Sequence, residues 1–264
     1  KAPEFHHELM GDLLALLRAF VEFQNLPQHV ADDFFRSLQV ETFKDKDQML
    51  GEVPGACQRL WASGKTLCPQ HPLEFCSILN TAIRSDKPTL VGTSVACADI
   101  LVVQIEPAAR LARAINLLCV TRRMDDLARR FFPSGKLFRG SSFDEKCKPF
   151  FTVGKVYRVP GFLATSFHLD MANVFLNRAV QHGKSVVLWI VQFRGEGLCN
   201  HVNLVAFSNF PGEEEYLFAP YSAFCIDRVE WSPTPDDHTP HRIYLTPYLD
   251  NRAAPPNLPL APWY

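Results

Sequence analysis

SVVLWIVQF, residues 185–193, decides the fold class. From Val186 to Phe193 the run is almost wholly β-branched, aliphatic or aromatic, at odd and even positions alike. That pattern predicts a strand buried on both faces, at the centre of a sheet. On its N-terminal side, Lys136-Leu137-Phe138-Arg139-Gly140 reads as a short strand ending at Gly140. Lys155-Val156-Tyr157-Arg158-Val159 alternates, and Gly161–Phe167 reads as a strand and turn. Beyond it, Tyr216–Phe218, Ala223–Ile226 and Arg242–Leu245 supply three more strands. A helix is expected at about Asp170–His182.

Upstream of Pro133-Ser134-Gly135 the period changes. Leu13, Leu14, Leu17, Phe20, Val21 and Phe23 follow helical spacing, and Pro27 is expected to end that segment. Phe34, Phe35 and Leu38 suggest a further turn or two. Pro72-Leu73-Glu74-Phe75 is expected to open a helix, with Phe75, Ile78, Leu79 and Ile83 on one side. Pro107 to about Phe132 reads as one long helix or two abutting ones. Helices first and strands later predict an α+β fold, not a βαβ wind. The expected boundaries are a helical lobe at 1–132 and a strand-rich part at 133–264, in one compact unit. After Ser232 the chain is rich in proline and is expected to wrap the surface in extended form.

Composition excludes several function classes. Lys plus Arg is 27 and Asp plus Glu is 28, a formal charge of -1. No global basic field recruits nucleic acid or an acidic membrane, and no apolar run reaches the length of a membrane span. The eight cysteines include no C-x-x-C pair, which argues against zinc. They read as free, mostly buried thiols. Nine histidines, His6-His7 and His238/His241 among them, have no metal-like partner set. No metal, nucleic-acid or membrane partner is expected, and localisation is left open.

PGEEEYLFAP, residues 211–220, sets three carboxylates before a strand. Strands disfavour Glu, and adjacent like charges repel. In an extended chain Glu213 and Glu215 would share one face, with Glu214 on the other. Paired carboxylates at a sheet rim suit chemistry with a cation-like transition state at a sugar carbon. The competing reading is a solvated charged loop tip.

Taken together, Leu137-Phe138-Arg139-Gly140, then Ala164-Thr165-Ser166, then Glu213-Glu214-Glu215 with its hydrophobic strand and Pro220 resemble an ordered signature. It is the Arg / Ser-Thr-Ser / Glu-x-Glu pattern of arginine-specific mono-ADP-ribosyltransferases, a family of bacterial toxins and vertebrate ectoenzymes. The resemblance spans about Lys136–Trp231. Ala114-Ile115-Asn116 and Cys119-Val120-Thr121-Arg122 are similar to the lobe that precedes this core. The resemblance implies two small sheets packed at a steep angle, with NAD as substrate in the cleft between them. ADP-ribose would pass from NAD to an arginine of a protein partner, with release of nicotinamide. By the same resemblance Glu215 is the catalytic glutamate at the ribose, Glu213 deprotonates the target arginine, and Arg139 grips the NAD phosphates. Gly140 is expected to let its backbone approach the nicotinamide amide, and Thr165 belongs to the same cofactor-binding set. Phe175-Leu176-Asn177-Arg178 resembles the F-x-x-R of a phosphate-nicotinamide loop, in which Phe175 would stack on nicotinamide and Arg178 meet phosphate. The alternative is an ordinary amphipathic helix with Phe175 in the core. Arg122, Arg123, Arg129 and Arg130 either add positive potential near the cofactor or form a solvated helix face.

One position departs from the signature. Ala164 stands where the first Ser would hold the catalytic Glu. Ser166 shares its face and is expected to take over. Two alternatives follow: an NAD glycohydrolase, or a catalytically impaired domain that binds NAD or a protein. Glu214, pointing away, is expected to be dispensable.

Overall fold

The structure is a computed structural model that describes residues 2–42, 53–84, 106–116, 135–194, 199, 202–205 and 209–262. The chain divides into two compact units, residues 1–117 with 206–211, and residues 118–205 with 212–264.

The first unit is mostly helical. α1 (Ala2–Phe23) and α2 (Gln28–Thr42) pack as a pair, followed by α3 (Val53–Trp61), a hairpin of β1 (Thr66–Cys68) and β2 (His71–Glu74), α4 (Phe75–Arg84) and α5 (residues 106–116). Leu13, Leu17, Phe20, Phe34, Leu38, Phe75 and Ile78 are buried. Pro27 does not end α1. The helix stops at Phe23, Asn25 takes a positive φ of 54°, and Leu26 N–H closes on the Val21 carbonyl at 2.9 Å. Asn tolerates that left-handed position after a helix. Pro27 instead directly precedes α2, which is longer than the turn or two its apolar spacing suggested. Pro72 does not open a helix either. It lies within β2, and α4 begins at Phe75. The stretch from 117 to 132, with Arg122, Arg123, Arg129 and Arg130, lies outside the described residues, as do Cys97 and Cys119. Cys57, Cys68, Cys147 and Cys225 are free thiols. Burial pushes the Cys57 thiol up to about 12.

The second unit is built on one mixed sheet of eight strands: β3 (Lys136–Ser142), β4 (Val156–Val159), β5 (Leu163–Ser166), β6 (Val186–Gln192), β7 (Val202–Leu204), β8 (Glu215–Phe218), β9 (Ser222–Glu230) and β10 (His241–Pro247). Their spatial order is β4-β9-β10-β6-β3-β5-β8-β7. Together with the helices this is an α+β fold. β6 is central, as its composition predicts. It is buried from Val186 to Val191 and runs parallel to β10 and antiparallel to β3. β3 runs on past Gly140 to Ser142, because its ladder with β6 continues to Ser142↔Val186.

The sheet encloses its own core. Leu137, Trp189, Tyr157, Phe218 and Phe224 come from strands across its whole width, yet they form one buried cluster. The two packed sheets expected from the sequence are therefore two parts of one hydrogen-bonded ladder, β4-β9-β10-β6-β3 and β5-β8-β7. They are joined at the pair Phe138↔Ser166. α6 (Leu169–Gln181) covers the other face through Ala172 and Leu176, packed on Val186, Leu188 and Ile190. The tail binds the open edge of β4: Arg158 N–H donates to Pro259 O and Ala261 N–H to Arg158 O, each at 2.9 Å. Covering an edge strand in this way blocks pairing with another chain.

Candidate active site

A cavity of about 100 Å³ opens at the junction of the two ladders. It is lined by Phe138, Arg139 and Gly140 of β3, Ala164, Thr165 and Ser166 of β5, Met171, Ala172 and Phe175 of α6, and Glu213 and Glu215.

The pairing explains why these residues meet. β5 and β8 run antiparallel with Ala164 opposite Leu217, Thr165 opposite Tyr216, and Ser166 opposite Glu215. Directly opposed residues share a face, so Ser166 and Glu215 stand side by side. Arg139 reaches across from β3 and donates from Nη1 to the Ala164 carbonyl at 2.8 Å. This bond fixes one arm of the planar guanidinium, and Arg139 lines the cavity. Position 164 thus contributes through its backbone, which Ala supplies as well as Ser does.

The two hydroxyls of β5 are engaged by the backbone of the segment 213–216. Thr165 Oγ1 donates to the Tyr216 carbonyl at 2.8 Å, which stitches β5 to β8. Ser166 Oγ donates to the Glu213 carbonyl at 2.6 Å and accepts from His168 N–H at 3.0 Å. A hydroxyl has one proton, and here it goes to the backbone of Glu213, not to the Glu215 carboxylate it was expected to hold.

The acidic triplet is not extended as the alternation argument requires. Glu213 ends a 3-10 turn, Pro211–Glu213, and β8 begins at Glu215. Glu214 between them has a φ of 40°. The kink still sends Glu213 and Glu215 to one cavity, while Glu214 lies 3.1 Å from His168 Nε2. Neighbouring Tyr216 is raised above its ordinary value by burial and then by the Glu214 charge.

Gly140 has a reason that the sequence did not reveal. A Cβ there would lie 2.1 Å from the Ala172 carbonyl and 2.9 Å from Leu176 Cγ. The glycine lets α6 lie against β3, and through that contact α6 carries Phe175 to the cavity. Phe175-Leu176-Asn177-Arg178 is helical, not a loop, and Leu176 is the residue in the core. Phe175 is 44% exposed and lines the cavity. Arg178 does not line it, but its guanidinium carbon sits 5.4 Å from the Phe175 ring centre. Phe138, Met171 and Ala172 were missed as lining residues. Met171 and Phe175 lie four residues apart, the one signal that would have placed them on one face of a helix.

No family model and no curated protein matches this chain. Solved structures similar to it include the Vis toxin, an ADP-ribosyltransferase from Vibrio splendidus. It has 17% identity and a TM-score of 0.48, with 88% of this chain and 90% of that chain covered. The ADP-ribosyltransferase HopU1 of Pseudomonas syringae pv. tomato has 16% identity and a TM-score of 0.49, with 82% and 87% covered. An ADP-ribosyltransferase from Clostridium botulinum has 14% identity and a TM-score of 0.41, with 80% and 94% covered. At such values the case for a reaction rests on the residues of the cavity itself.

Proposed function

We propose that this chain is an ADP-ribosyltransferase that moves ADP-ribose from NAD to the guanidinium of a protein arginine. The observation that carries the reading is the convergence of Arg139, Glu213 and Glu215 on one cavity, with half-exposed Phe175 in its lining. Nicotinamide enters at the cavity and stacks on Phe175. Arg139, anchored on Ala164, offers its remaining donors to the NAD phosphates as a planar fork. Glu215 accepts a hydrogen bond from a ribose hydroxyl. Its charge stabilises the sugar carbon as the bond to nicotinamide breaks and the electron pair leaves with the ring. Glu213, one turn outside the strand, takes a proton from the incoming guanidinium as its nitrogen bonds to that carbon. Ser166 serves by fixing the Glu213 backbone.

A second reading, NAD hydrolysis with water as acceptor, is favoured by one feature: Ala164 offers no hydroxyl and the Ser166 proton goes to Glu213 O. Both leave Glu215 less tightly oriented by β5, and slow transfer lets water compete. Labelled NAD incubated with the chain and an arginine-bearing protein separates the readings. Label on arginine supports transfer, and free ADP-ribose alone supports hydrolysis. Neither product leaves a domain that binds without reacting. Glu213→Gln should lose transfer and keep slow hydrolysis. Equal loss of both would remove Glu213 from the acceptor side.

A further inference from the structure

His168 stands where β5 hands the chain to α6, at the position that normally caps a helix with a short polar side chain. Its side chain makes no capping bond. The imidazole turns instead to Glu214, with Nε2 3.1 Å from Oε2. The backbone N–H of His168 donates to Ser166 Oγ, and that hydroxyl donates to the Glu213 carbonyl. One residue therefore holds two successive members of the acidic triplet, one by side chain and one through Ser166. The member it holds by side chain is the strained one. At a φ of 40° Glu214 occupies the left-handed region, which costs a non-glycine residue about 1–3 kcal/mol and persists only where the surroundings hold it.

We propose that His168 is a positioning residue of the active site: by holding the Glu214 carboxylate, it keeps the left-handed kink that presents Glu213 and Glu215 together to the cavity. This rests on the function proposed above for those two carboxylates, and it revises the expectation that Glu214 is dispensable. His168 and Glu214 side chains are 51% and 40% exposed. An exposed pair contributes at most about 1 kcal/mol to folding, so its loss leaves the fold in place. Its effect is on orientation, where small misplacements of reacting groups reduce rate steeply.

The test uses the full chain with His168→Ala, Glu214→Ala, the double variant, and Glu214→Gly added to His168→Ala. Amide hydrogen exchange over 213–217 and the kcat and KM of NAD cleavage are read in parallel. Each alanine variant should speed exchange in that segment alone, with an unchanged melting temperature. Each should lower kcat about tenfold with little change in the KM for NAD. The double variant should be no worse than either single, since the two act as one unit. Glycine adopts a positive φ without steric cost, so Glu214→Gly should restore most of the rate lost in His168→Ala. Unchanged exchange in His168→Ala, additive losses in the double variant, or no rescue by glycine would each overturn the proposal. If exchange responds as stated but the unsubstituted chain cleaves no NAD, the positioning role stands and the reaction assigned to the cavity fails.

Discussion

The ladder that runs from β9 through β10 and β6 to β3 differs in build from the one that runs from β5 through β8 to β7. The first is deep and continuous. β3 pairs with β6 from Lys136↔Gln192 to Ser142↔Val186, and Trp189 at its heart is 2% exposed. The second consists of three- and four-residue strands and meets the first at the single pair Phe138↔Ser166. The cavity opens where the two meet. A long ladder fixes Arg139 and Gly140 by cooperative pairing. The short one leaves its strand ends free to turn, and Ser166, His168 and the Glu213–Glu215 kink all occupy such ends. Rigid pairing on one side and held turns on the other set acid groups against an arginine without burying any of them in the core.

The largest effect should come from breaking the deep ladder. Trp189 packs edge-on to Phe151 at 5.4 Å between ring centres and donates from Nε1 to Ser141 Oγ at 2.9 Å. Trp189→Ala should lose about 3–5 kcal/mol of stability. In urea unfolding followed by circular dichroism, the midpoint should fall sharply and NAD cleavage should disappear with the fold. A small shift would mean that the two ladders do not share one core.

Next in size is a change that should leave the fold untouched. Glu215→Gln keeps shape and removes charge at the start of β8. If Glu215 faces the reacting sugar, nicotinamide release should fall about 10²-fold or more, the usual scale for such an electrostatic contribution. The melting temperature should stay constant. Retained cleavage would move the chemistry away from the short ladder.

A third change strikes the seam. Gly140 lies in the deep ladder and lines the cavity. Gly140→Ala places a Cβ 2.1 Å from the Ala172 carbonyl, and α6 must shift. Overpacking of this kind costs about 1–3 kcal/mol. Because α6 carries Phe175, NAD affinity in calorimetry should weaken along with stability. Weakened stability with unchanged affinity would show that Phe175 does not touch the substrate.

The deep ladder was the legible part. The SVVLWIVQF run is apolar on both faces because both faces are buried, so composition alone places it at the centre. Short strands carry weaker signals: β7 and the β1–β2 hairpin were missed, and Pro72 misled because proline suits a helix start as well as a strand. Glu213 and Glu215 do line one cavity, but not through strand alternation. Glu213 is not in a strand, and the kink at Glu214 does what alternation was asked to do. That kink depends on His168, which is far away in sequence, and no local pattern reports such a partner. Gly140 is a similar case: its need is set by the approach of Ala172, a tertiary fact. Type and order in the sequence picked out Arg139, Glu213, Glu215 and Ser166, which meet at one cavity, whereas His168 and the approach of Ala172 to Gly140 carry a signal that is purely spatial.

The smallest predicted effect belongs to the far end of the deep ladder and tests whether acid loosens that end first. Burial pushes the Glu145 carboxyl up, but hydrogen bonds with Lys148, Ser185 and His241 outweigh this and hold it at about 2, against an ordinary 4.5. His241 is fully buried. Its Nδ1 accepts from Ser232 N–H at 2.9 Å, so the proton on Nε2 points at Glu145 Oε1, 2.8 Å away. The folded state therefore favours the ionised carboxylate. A group whose folded pKa is depressed contributes stability above its unfolded value, and that contribution is lost as pH falls from about 4.5 to about 2. The Glu145 side chain is 48% exposed, so solvent screening reduces the contribution to about 1 kcal/mol. Urea unfolding of the chain and of Glu145→Gln at several pH values across that window should show the variant less stable at the upper end. The gap should close toward the lower end. Parallel curves across the whole window would mean that the carboxylate is not linked to folding, and that acid loosening begins elsewhere, with the short ladder and its exposed Glu214 the next place to look.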